Sequence, residues 1–128
     1  MQFRVARHTS DFHPIVNFYV YLLGLELMGD FKGHNNYDGI FIGKPDLYWH
    51  LEFTKSETPA IHTSDDDDML VFYPDTLIEY NEILSRFQKL NILAVIPKNP
   101  YWIENGTTFT DPDGFNVVIS PLKTAQIQ

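Results

Sequence analysis

The feature that most constrains this chain is an order of elements that occurs twice in 128 residues. Phe3 to His8 alternates apolar and polar side chains, the mark of a half-buried strand. Ser10 and Asp11 then offer an N-cap, and Pro14 sits in the first turn, where its missing N–H costs little. Ile15, Phe18, Tyr19 and Leu22 follow at helical spacing and make one apolar stripe, which Gly24 is placed to end. Leu25 to Phe31, Tyr37 to Gly43 and Leu47 to Thr54 read as strands, separated by turns at Gly33–Asn36 and Pro45–Asp46. The first half is therefore βαβββ.

Lys55 to Asp67 is polar and reads as a linker, and Asp65 to Asp68 is a run of four aspartates. The order then recurs. Met69 to Tyr73 is a strand, and Asp75 or Thr76 caps a helix, with Glu79 completing a capping box from Thr76. Ile83, Leu84 and Phe87 share one face of that helix. Leu93 to Ile96 reads as a strand and Pro97 to Gly106 as a loop. Thr107 to Thr110 and Phe115 to Ser120 are strands joined by a tight turn, Asp111-Pro112-Asp113-Gly114. The tail after Pro121 is expected to be loose. The halves share element order and spacing rather than sequence. The expected fold class is α+β, two tandem βαβββ modules forming a cupped mixed sheet. It makes one domain over residues 1–128: module one about 1–56, a linker about 57–67 and module two about 68–122.

Composition narrows the function classes. Apolar residues make up 44% of the chain, enough for a packed core, and aromatics 15%, which suits a sheet with bulky residues on a face. The net charge is -8, with nine Lys and Arg against seventeen acids. A nucleic-acid-binding stripe or a patch for an anionic membrane surface needs clustered cations, so neither partner is expected. There are no cysteines, which removes disulfides, thiolate metal sites and thiol catalysis. The first residues contain no apolar signal core, and no segment approaches the roughly 20 apolar residues that span a bilayer. A cytoplasmic protein is the natural reading.

Three stretches in order carry a family likeness. Ser10-Asp11, Asn17-Phe18-Tyr19 and Leu23-Gly24-Leu25 resemble the opening of the vicinal oxygen chelate superfamily, the glyoxalase/bleomycin-resistance/dioxygenase fold. Leu51-Glu52-Phe53 resembles the end of its first module, and Thr110 to Phe115 its "tDPdGn" signature. Arg4 to Arg7, His34-Asn35, Tyr37 to Gly39, His50 to Phe53 and Asn99 to Trp102 make the chain most similar to the YycE-like branch. That branch implies no firm activity.

The resemblance implies where a divalent metal would sit: His on the first strand, Glu on the fourth, His on the fifth and Glu on the eighth. Those positions fall here on Arg4, Glu52, Asp68 or Met69, and Val118. Only Glu52 clearly survives. Arg4 puts a permanent cation where the ion belongs and Val118 offers no donor, so no cofactor is expected, with Glu52 the one metal ligand if a metal is bound at all. The fold implied by the resemblance sets Arg4 level with Glu52, with His8 and His50 displaced to opposite sides as ordinary polar residues.

Arg4 beside Glu52 is expected to be an ion pair inside the cupped sheet. It is either a structural bridge in place of a metal or a polar anchor in which the Arg fork binds a carboxylate or phosphate-like group. Tyr48, His50 and Glu52 share one strand face, as do Asn116, Val118 and Ser120 on the last strand. Tyr101 and Trp102 lie in a loop that borders the cavity mouth in this fold; they either stack a flat ligand or cover a sheet edge. His34 to Tyr37 reads as a turn, and Asp65 to Asp68 as a solvated linker rather than a calcium loop. The expected ligand-binding set is Arg4, Tyr48, His50, Glu52, Tyr101, Trp102, Asn116 and Val118, with a small organic molecule as partner and, by analogy with the superfamily, a homodimer. Three functions stay open: a metal-free binder, whose acidic surface suits a cationic drug; a lyase, isomerase or dioxygenase relative using Glu52 as general base; and a scaffold with a vestigial pocket.

Overall fold

The computed structural model describes residues 1–125. The chain is α+β, built as two compact units, Met1–His62 and Thr63 onward. No helix among the described residues is long and apolar enough to cross a membrane.

In the first unit, β1 (Phe3–His8), β2 (Glu26–His34), β3 (Tyr37–Gly43) and β4 (Trp49–Lys55) form one sheet in the order β1-β4-β3-β2. β1 runs parallel to β4, and the other pairs are antiparallel. The helix between β1 and β2 starts where expected: extended Asp11 accepts the His13 N–H through its side chain. It then changes winding. α1 (Phe12–Val16) passes into a π-helical stretch, Asn17–Leu22, in which the Leu23 N–H reaches back to the Phe18 carbonyl. The wider turn accommodates four buried side chains, Phe18, Tyr19, Leu22 and Leu23, where a regular stripe predicts three. Gly24, at φ 86°, then turns the chain into β2. Tyr19 packs against Phe53 of the sheet, ring centroids 5.2 Å apart, and Ile15, Phe18, Ile40, Ile42 and Leu51 are buried as well. Alternation along β3 and β4 sends Phe41, His50 and Glu52 to the opposite face.

The turn between β2 and β3 lies at Asn35 and Asn36, both at positive φ, with Asp38 accepting the Gly33 N–H. β2 thus runs three residues beyond the expected Phe31, past a register shift between Phe31 and His34. The polar stretch after β4 is tied down within this unit: Ala60 N–H donates to Ser10 Oγ, and His62 Nε2 lies 2.6 Å from the His8 carbonyl.

In the second unit, β5 (Met69–Phe72), β6 (Thr107–Thr110) and β7 (Asn116–Ile119) form a sheet in the order β5-β7-β6. Thr76 caps α2 (Leu77–Lys89) by accepting the Glu79 N–H, while the Glu79 carboxylate accepts the Asp75 N–H, a capping box displaced by one residue. Ile83 and Phe87 are buried, and Phe87 stacks on Phe109 of β6 at 3.8 Å.

Three expectations fail here. Leu93 to Ile96 is not a strand but a single bridge, Val95 to Thr108, with Leu93 and Ile96 more than four-fifths exposed. The apolar run predicts a strand, yet Asn91 at φ 56° and Pro97 close it at either end before a ladder can grow. Pro97 to Gly106 is not all loop: Asn99 accepts the Tyr101 N–H and Pro100 opens α3 (Pro100–Asn105). That Asn-Pro start was a readable signal. The tail is ordered through Ala125, with a 3-10 turn at Pro121–Lys123 and an Ala125 N–H bond to the Asp75 carbonyl; residues 126–128 lie outside the described part.

The Asp111–Gly114 turn is as expected. Asp111 is buried, and one carboxylate oxygen accepts the Asp113 and Phe115 N–H groups at 3.0 Å each, while Gly114 takes φ 91°. Asp111→Ala should cost about 2–3 kcal/mol in a urea titration, because two turn amides lose a charged acceptor. Asp111→Asn keeps the oxygen and should cost less; equal losses would show that charge rather than geometry holds the turn.

Candidate functional site

The polar centre of the first unit is built on the sheet face opposite the helix. β1 and β4 pair in parallel with Arg4 level with His50, and Ala6 level with Glu52. The expected register was two residues off. His50, set aside as displaced, is Arg4's direct neighbour: Arg4 Nε donates to His50 Nε2 at 2.8 Å. Arg4 has only donors, so His50 meets it through the Nε2 lone pair. The pair with Glu52 forms diagonally, Arg4 Nη1 to Glu52 Oε2 at 3.4 Å. The guanidinium carbon also sits 4.9 Å from the centre of the Phe41 ring, whose edge meets His50.

Arg4 is therefore held from three sides. Among the described residues, two of its five N–H donors are committed and three are not. Its side chain is 49% exposed, whereas that of Glu52 is 14% exposed. Gly43 stands beside this group; a Cβ there would come within 3.0 Å of His50 Cβ, so the absence of a side chain lets β3 pass His50 closely.

An open cavity of about 300 Å³ lies against this centre. Arg4, Phe41, Lys44, Tyr48, Trp49 and His50 line it, with Gln2, Met28, Pro45 and Leu47 completing the wall. Of the expected ligand set, Arg4, Tyr48 and His50 are brought together here. Glu52 touches Arg4 but is not part of the wall. Lys44, Phe41 and Trp49 were missed, although Lys44-Pro45 marks the turn that forms one side.

The second unit disperses its candidates. Val118 is fully buried, opposite Val71 and Thr108, and is no part of an open lining. Asn116 is committed at both ends, donating to the Asp66 carbonyl and accepting from Thr110 Oγ1. Tyr101 and Trp102 pack edge to face on α3. Asp65 to Asp68 folds into a turn closed by its own side chains. Asp68 just before β5 and Met69 at its first position leave the third family metal position between a carboxylate and a thioether.

The donors around Arg4 are few for a divalent ion. Arg4 donates to His50 Nε2 and to one oxygen of Glu52, which places a fixed cation beside both groups. Among the described residues no group of three His, Asp or Glu side chains is placed to hold one.

Comparison with known proteins agrees with this architecture. The family model of the YycE-like N-terminal domain matches residues 3–54, and that of the YycE-like C-terminal domain matches residues 67–120. The uncharacterised protein YycE of Bacillus subtilis is 39% identical over 126 residues, covering 95% of this chain and 88% of YycE. Its crystal structure superposes with a TM-score of 0.79 at 37% identity, over 99% of this chain and 92% of that one. Two distant structures share the fold alone. Glyoxalase I of Leishmania major has a TM-score of 0.70 at 14% identity, over 91% and 83% of the two chains. An antibiotic-binding protein of Streptomyces sp. CB03234 has 0.65 at 19%, over 98% and 96%.

Proposed function

This chain belongs to the YycE-like family of the vicinal oxygen chelate superfamily, and from that premise we propose that it binds a small organic molecule in the first unit's cavity without the superfamily's divalent metal. The observation that carries this reading is Arg4. It is fixed by His50, Glu52 and Phe41 on the wall of a cavity of about 300 Å³, yet keeps three N–H donors for a ligand. A guanidinium pre-positioned in this way loses little entropy on binding. The cavity is at the lower end of the range typical of ligand sites, about 300–1,000 Å³. That the fold hosts an antibiotic-binding protein in Streptomyces sp. CB03234 is in keeping with a binding role.

The alternative is a lyase, isomerase or dioxygenase type of enzyme with Glu52 as general base. It has less support, because the Glu52 carboxylate is engaged by Arg4 and is absent from the cavity wall. A vestigial pocket has less still, because the space is open rather than filled. We propose further that the two modules work as one domain and that the protein acts as a cytoplasmic homodimer, as the superfamily's habit suggests.

A fragment screen followed by amide ¹H–¹⁵N spectra tests the reading. Shifts should cluster at residues 2–4 and 41–50 and persist in EDTA, and elemental analysis should find no stoichiometric zinc, nickel, iron or manganese. A stoichiometric metal whose removal abolishes binding would overturn the metal-free reading. Shifts confined to other residues would overturn the location.

A further inference from the structure

The charge of the cavity runs opposite to that of the chain. Seventeen acids against nine Lys and Arg make the whole molecule strongly anionic. The wall nevertheless carries two cations, Arg4 and Lys44, and no carboxylate. Lys44 is half-buried, and among the described residues no acid lies within ion-pair distance of it. A partly desolvated ammonium without a counter-ion is unfavourable unless something else supplies the charge. Arg4 has its counter-ion behind it, in Glu52, and three donors left over.

Resting on the pocket reading above, the geometry points to a monoanionic carboxylate with a flat or apolar body as the ligand class. The charge count decides between anions. Arg4 and Lys44 against Glu52 leave one net positive charge, and His50 turns its Nε2 acceptor to Arg4. One carboxylate balances it, whereas a phosphate dianion would leave a surplus negative charge at the wall. The body of the ligand meets Phe41, Tyr48 and Trp49, which offer aromatic surface, and Met28 and Leu47, which offer apolar surface. A cationic drug, which the acidic chain as a whole suits, is the ligand this wall repels.

Four naphthalene probes separate the possibilities: 2-naphthoate, 2-naphthyl phosphate, 2-naphthamide and 2-naphthylmethylammonium, each titrated into the full chain by ¹H–¹⁵N spectroscopy. The expected result is that 2-naphthoate shifts residues 2–4 and 41–50 at least about tenfold more tightly than the amide or the ammonium. Lys44→Gln should weaken the carboxylate about tenfold and leave the amide unchanged. Tighter binding of the phosphate than the carboxylate would overturn the charge count. Equal or tighter binding of the ammonium or the amide at these residues would overturn anion recognition while leaving the pocket reading intact. If no probe shifts these residues, both readings fall together. Circular dichroism of Lys44→Gln, with its unchanged amide titration, separates lost recognition from lost folding.

Discussion

Replacing Phe87 with alanine is expected to lower the stability of the second unit by about 3–5 kcal/mol. Phe87 is fully buried near the end of α2 and its ring lies parallel to Phe109 at 3.8 Å and 10°. Truncation removes the transfer energy of the ring and leaves a hole between helix and sheet that α2, anchored at Thr76, cannot collapse to fill. The stack itself adds about 0.5–1.5 kcal/mol beyond area. Urea unfolding followed by Trp102 fluorescence, in a Trp49→Phe background, reads this unit separately. Phe87→Leu should recover about half of the loss, because it restores apolar volume but not the ring face. A loss below about 1 kcal/mol in Phe87→Ala would mean that β6 and α2 are held together elsewhere.

Arg4→Met is expected to have the largest effect on binding: a loss of about 30-fold or more for 2-naphthoate, measured by titration calorimetry. One or two charge-assisted hydrogen bonds, about 1.5–3 kcal/mol each, disappear with the guanidinium. Stability should change little, by about 1 kcal/mol, because Arg4 is 49% exposed and its ion pair with Glu52 lies near the surface. Glu52→Gln is the informative partner. If Glu52 only positions Arg4, the amide still accepts its N–H, and carboxylate affinity should stay within about fivefold or rise. If Glu52 is instead a general base, Glu52→Gln should abolish turnover of a substrate while Arg4→Met leaves some.

What could be read from the residues alone followed from how local each signal is. The Asp111–Gly114 turn and the Thr76 cap depend on contacts within four residues, and both are where their spacing puts them. The ion pair of Arg4 with Glu52 was also legible, but only through the family resemblance, which sets the first strand beside the fourth. His50 was not. Its role depends on the register between β1 and β4, which no local pattern reports, and a two-residue offset turned Arg4's nearest partner into a bystander. Lys44 was missed for a related reason: a cation in a turn has no periodicity, and only the fold shows that it lines a cavity. The π-helical turn escaped because buried positions at 15, 18, 19 and 22 fit a regular helix equally well; Leu23 alone breaks the stripe. Val118 kept its expected strand but not its expected role, since a site inferred by position need not be an accessible one.

The single bridge from Val95 to Thr108 has a kinetic consequence. β7 is flanked on both sides, by β5 and β6, and carries three consecutive buried side chains. The outer margin of β6 is fastened by one backbone bond of 2.8 Å, from Val95 N–H to the Thr108 carbonyl, between the exposed Leu93 and Ile96. Opening that bond exposes little apolar surface, so it can break without the rest of the sheet following. The second unit thus has a seam: its Val95 amide should exchange with deuterated water through brief local excursions, while those of Val117 to Ile119 wait for the whole unit to come apart.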